Sequence, residues 1–145
     1  MRGEGRTNLE RVGLWAVLAH ALAVLIHSAA HVVLGVKLAA WQNVYVWAVI
    51  VALPLAAGAL FRRRARGGFA LLLVSMLGAL VFGVHYHFID RGPDHVLAHG
   101  RGFWPETFLV SAVLLALVEA AAVPVALRGL NFDLKADEDG GEQLC

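Results

Sequence analysis

Residues 19–32, AHALAVLIHSAAHV, decide the reading of this chain, because they set His20, His27 and His31 into an otherwise apolar run. On a helix turning about 100° per residue, steps of seven and four place the three on one stripe roughly 40° wide. Imidazole is rarely presented to lipid, so this stripe is expected to face protein or a polar cavity.

Outward from it, Arg11 and Lys37 bracket a charge-free segment, residues 12–36. At about 1.5 Å per residue such a helix crosses a hydrocarbon core roughly 30 Å thick. Three more runs follow: residues 44–61 after the polar Trp41-Gln42-Asn43, residues 69–89, and residues 107–127, interrupted only by Glu119. Tyr45 and Trp47 suit an interfacial aromatic belt. Pro54 is expected to kink the second span, its freed carbonyl repaired by a neighbour. Gly78 and Gly83 are expected to let helices pack closely. Composition agrees with membrane: of 145 residues, 59% are hydrophobic, and the mean hydropathy is +0.69. A soluble domain of this length would have nowhere to hide that much apolar surface. The fold expected is all-α, an integral membrane four-helix bundle. It occupies residues 12–128, between an N-terminal tail, 1–11, and an acidic tail, 129–145. Both tails are expected to be mobile.

Lys and Arg set the direction. With both termini cytoplasmic, Arg2, Arg6, Arg11, Arg62, Arg63, Arg64, Arg66, Arg128 and Lys135 lie inside, and Lys37, Arg91 and Arg101 outside, nine against three. That is the positive-inside pattern, and it requires an even number of spans. The arginine cluster at 62–66 is a topology anchor that can also touch anionic lipid. A competing reading makes the first segment a signal peptide cleaved near Ser28-Ala29-Ala30; its histidines and its length weigh against that. The partners implied are the lipid bilayer and, for so small a bundle, a second copy or another membrane protein, in a bacterial or archaeal cytoplasmic membrane. A net charge of +1 gives no reason to expect nucleic acid. The single cysteine, Cys145, excludes an intrachain disulfide and is not placed for prenylation. No glycine-rich phosphate loop occurs, and Ser28 beside His27 points about 100° away on a helix, so no nucleophile motif stands out.

Polar chemistry gathers at the outer end. The connection 90–106 holds Asp90, Asp94, His95, His99 and Glu106, directly after His85-Tyr86-His87. Asp94 is expected to cap a short helix with His95 and His99 one turn apart. Counted from the inner end, His27 lies roughly 22 Å deep and His85 roughly 24 Å, with His31 near 28 Å, level with His87. Residues two apart on a helix point about 200° apart. His85, the deeper of its pair, is therefore expected to face inward. Lower down, His20 and Glu119 both fall at roughly 12 Å, and a His20–Glu119 pair is the simplest way to keep a carboxylate in hydrocarbon.

The functional reading is a transition-metal or haem site in the outer layer, for redox chemistry or for handling the ion itself. Candidate ligands are His27, His31, His85, His87, His95 and His99, supported by Asp90, Asp94 and Glu106. Two imidazoles one turn apart, His27 and His31, make a bidentate pair. Nitrogen and oxygen donors without thiolate suit zinc, iron or copper. Haem b between His27 and His85 would leave most of the histidines unexplained, so metal ranks above it. The spacing in HSAAH and HVLAH resembles that of membrane di-iron oxygenases such as desaturases. Those chains are longer, with more histidines facing the cytosol, so no residue role is carried over. Two other readings stand: a structural membrane subunit or scaffold without cofactor, and a proton- or ion-coupled carrier that works as an oligomer. Whether the protein is an enzyme stays open.

Overall fold

In lipid the backbone must satisfy its own polar groups, which a long apolar run does by becoming helical. The computed structural model describes the backbone of residues 2–65 and 67–142, and the side chains of 4–65 and 67–135. Cys145 and Arg66, and the side chains of Asp137, Glu138, Asp139 and Glu142, lie outside the described residues. Helix α1 is Arg2–Leu34. The second span is α2, Ala40–Tyr45, a π-helical segment, Val46–Ala52, and α3, Leu53–Arg62. The third is α4, Gly68–Val84, with a π turn, His85–Ile89. The fourth is α5, Phe103–Glu142. Four helices are thus long and apolar enough to cross a membrane, and no strand occurs among the described residues.

Helix α1 packs on α5 and α3, and α4 packs on the same two, so the bundle closes as a ring in the order α1, α3, α4, α5. One core layer, at the arginine-rich end, joins Val17, Ala57, Phe61, Phe69, Leu72, Met76, Ala122 and Ala126. The other, at the loop end, joins Ala30, Val96, Phe108 and Ala112. Trp15, Leu18, Leu22 and Leu25 point outward from α1, as a lipid-facing surface requires. Close approach depends on small residues. A Cβ at Gly129 would overlap the Phe69 ring, and one at Gly78 would fall 2.8 Å from the Tyr45 hydroxyl. Gly83 would meet only His87, at an ordinary 3.9 Å, so the close packing expected there is confined to Gly78.

Two local expectations are corrected. The segments expected to trail as mobile tails are helical as far as residues 2 and 142. They hold each other: Arg6 bridges Glu10 at 2.8 Å and Asp133 of α5 at 3.0 Å. The short helix expected after Asp94 does not form. Residues 93–99 make successive turns instead, and Asp94 is directed inward, buried against the bundle. Helix α1 stops where Gly35 enters the left-handed region at φ +67°, with Val36 N–H donating to the His31 carbonyl at 3.1 Å.

Candidate metal centre

The loop end of the bundle brings α1, α4 and α5 together around three imidazoles. His27 and His31 sit one turn apart on α1, and the π turn delivers His87 opposite them. One ring nitrogen from each of His27, His31 and His87 lies within 4.8 Å of the others. Ring centroids are 4.8 Å apart for His27–His31 and 4.7 Å for His27–His87. Phe108 of α5, fully buried, floors the site. Its ring stacks on His27 at 4.7 Å and meets His31 and His87 edge-on.

The hydrogen bonds around these rings limit where their protons sit. His87 Nδ1 is 3.0 Å from the Asp94 backbone carbonyl, which can only accept, so Nδ1 carries a hydrogen and the neutral ring leaves Nε2 as an acceptor. Ser111 Oγ has one hydrogen and lies 2.6 Å from the Thr107 carbonyl and 2.9 Å from His27 Nδ1. His27 Nε2 and His87 Nε2 are 3.1 Å apart. With the Ser111 hydrogen on His27 Nδ1, His27 Nε2 donates to His87 Nε2; with it on the Thr107 carbonyl, Ser111 accepts from His27 Nδ1 and both Nε2 atoms are free to ligate a cation placed between them.

Asp94 stands behind this cluster. Its Oδ1 lies 3.1 Å from His31 Nε2 and 3.4 Å from His87 Nδ1, yet neither oxygen has a well-aligned hydrogen bond among the described residues. Burial alone would push its carboxyl up. The imidazoles of His31 and His87 outweigh that and hold it below the usual carboxylate range. The loop is tied down by Val96 N–H, which donates to the His87 carbonyl at 3.1 Å.

The other candidates are placed elsewhere. His85 is exposed, its ring edge-on to Tyr86 at 4.8 Å, so the expectation that it faces inward is reversed. Helix phase gives the reason: buried Phe69 is eighteen residues before His87, which is about five full turns, whereas His85 falls roughly 160° away. Depth favoured His85, but azimuth decides burial. The haem pairing of His27 with His85 loses its geometry for the same reason. His95 Nδ1 accepts from Leu97 N–H at 3.2 Å within the loop, while His99 donates to the Pro93 carbonyl at 2.9 Å and sets its ring edge-on to Phe108 at 5.5 Å. Asp90 and Glu106 are exposed.

In the lower layer, His20 and Glu119 are both buried, with Nδ1 and Oε1 3.4 Å apart across the α1–α5 contact. His20 Nε2 also donates to the Ile50 carbonyl at 3.0 Å. Pro54 has no N–H to offer that carbonyl, so His20 is the neighbour that repairs the break. Sequence reasoning missed Ser111 and Phe108. Both fall within the first turns of α5 after the loop, and the depth count applied to the histidines places Ser111 near the level of His27 and Phe108 near that of His31.

Comparisons with known proteins add no name to this geometry: no family model, no curated protein and no solved structure matches the chain.

Proposed function

We propose that this protein is a small membrane metalloprotein that binds a transition-metal ion at His27, His31 and His87, for redox chemistry or for handling the ion itself. The observation that carries this reading is the close approach of two imidazole nitrogens, His27 Nε2 and His87 Nε2, 3.1 Å apart. An ion about 2.0–2.1 Å from each subtends about 100° across that separation, between the octahedral and tetrahedral angles. The third ring closes on the same ion by a shift of about an ångström or less, since the nitrogens already lie within 4.8 Å.

The backing supports the same reading. Metal-ligating imidazoles usually donate their other N–H to a carbonyl, hydroxyl or carboxylate, which fixes the ring and its tautomer. Here the Asp94 carbonyl and Ser111 Oγ take those positions, and the Asp94 carboxylate supplies negative charge against the cation. Three nitrogens leave a fourth position for water or a substrate, as reactive or exchanging sites do and closed structural sites do not. Without thiolate the donor set suits zinc, iron, copper(II) or nickel. Haem fits poorly, because nitrogens this close leave no slot for a porphyrin between their rings.

Metal analysis of the detergent-purified protein by mass spectrometry tests the reading. One ion per chain is expected in the wild type and in His85→Ala, with loss in His27→Ala and in His87→Ala. Wild-type protein that is folded, colourless and metal-free after growth and reconstitution with zinc, iron and copper overturns it and leaves the histidines as a packing network.

A further inference from the structure

The lower polar layer has its own chemistry. Pro54 leaves the Ile50 carbonyl without its α-helical donor, and His20 Nε2 supplies one at 3.0 Å. Because a carbonyl only accepts, Nε2 must carry a hydrogen. That turns Nδ1 towards Glu119 Oε1 at 3.4 Å, with no well-aligned hydrogen bond of its own among the described residues. His20 is 1% exposed and Glu119 3%.

We infer that His20 and Glu119 form a second, independent site whose ligand is a proton: Glu119 stands within the membrane as a neutral carboxylic acid, with His20 Nδ1 as its acceptor. The pair has two ways to be neutral overall, imidazolium with carboxylate or imidazole with carboxylic acid. Separated charges in so buried a layer carry a heavy desolvation cost. The surrounding elements supply no counter-charge. Val46–Ala52, α3 before Arg62 and α4 contain no titratable side chain. Helix α1 has only His20 between Arg11 and His27, and α5 only Glu119 between Glu106 and Arg128. A metal ion is a poor occupant, since only two donor groups, one imidazole and one carboxylate, are present. The proton is held beside the carbonyl that Pro54 leaves without its α-helical donor, so its removal sets a carboxylate against a lone pair next to the π-helical segment of the second span.

Infrared and histidine ¹⁵N spectroscopy on the full chain in lipid nanodiscs test this. The expected result is a carboxylic-acid carbonyl band that shifts in D₂O and is lost in Glu119→Gln, with His20 showing one protonated and one bare ring nitrogen. The side-chain amide introduced by Glu119→Gln can still donate to His20 Nδ1, which keeps the variant foldable. His20→Gln, which can still serve the Ile50 carbonyl, should move the acid band without abolishing it. An imidazolium at His20 with no acid band overturns the inference, and so does an acid band that persists in Glu119→Gln. Metal content should be unchanged in Glu119→Gln; its loss would overturn the independence of the two layers, while metal-free wild type would leave the proton site standing.

Discussion

Ser111 Oγ lies 2.9 Å from His27 Nδ1 and 2.6 Å from the Thr107 carbonyl. Donating to the carbonyl and accepting from Nδ1, this one hydroxyl would present His27 Nε2, not Nδ1, to a bound ion. Removing such a partner from a metal-bound imidazole typically lowers affinity about 10–100-fold. Ser111→Ala is therefore expected to weaken metal binding by that factor in a chelator-competition titration, with the helical content intact. Wild-type affinity in Ser111→Ala would show that the tautomer is not set by this bond.

His85 and His87 provide an internal control two residues apart. His87 is buried and faces His27, whereas His85 is exposed. His85→Ala should change thermal stability by no more than about 0.5 kcal/mol, as for surface positions generally. His87→Ala should destabilise the metal-loaded protein and abolish the thermal shift that added metal produces. Equal effects of the two substitutions in a melting experiment with and without metal would contradict the assignment.

The docked loop carries a pH dependence through Asp94, whose carboxyl is held below the usual carboxylate range in the folded state. A folded-state value lowered relative to the unfolded chain stabilises the structure above the unfolded value, about 3.9. That stabilisation is lost as the pH falls towards the folded value. In chelator-treated protein, the Val96 amide, which donates to the His87 carbonyl, should keep its hydrogen-exchange protection at neutral pH. It should lose protection progressively below pH about 4. Asp94→Asn should show reduced protection already at neutral pH and lose this acid dependence. Protection that survives to low pH in the wild type would show that the carboxylate does not hold the loop.

What the sequence could and could not disclose follows from the kind of information each feature needs. The four spans were legible because hydrocarbon demands long runs without charge, a property of composition and length. Depth was legible too, since rise per residue is fixed; it set His20 level with Glu119 and His31 level with His87 and the start of the loop. Azimuth was not. In α4, from Gly68 to Val84, almost every residue is apolar, so no polar face marks which side meets the bundle, and His85 was preferred to His87 on depth alone. The inward turn of Asp94 was hidden for another reason. An aspartate after Gly92-Pro93 has strong local uses as a cap, and only the tertiary placement of His31 and His87 overrides them.

Gly129 tests the ring order of the helices through one contact. A Cβ there would overlap the ring of Phe69, which is 1% exposed and wedged at 4.8 Å against Phe61. Alanine in place of glycine gains up to about 1 kcal/mol from helix propensity. Forcing a methyl into a filled core costs typically about 1–3 kcal/mol. The blocked atoms belong to a buried ring and not to the free end of a flexible side chain, so the cost should prevail. Gly129→Ala is expected to be destabilised in a thermal or steric-trapping assay. Adding Phe69→Leu to it should cost less than Phe69→Leu does alone, because the methyl then fills space that the ring has vacated. Additive losses in that double-mutant cycle would mean that α5 and α4 do not meet at these residues.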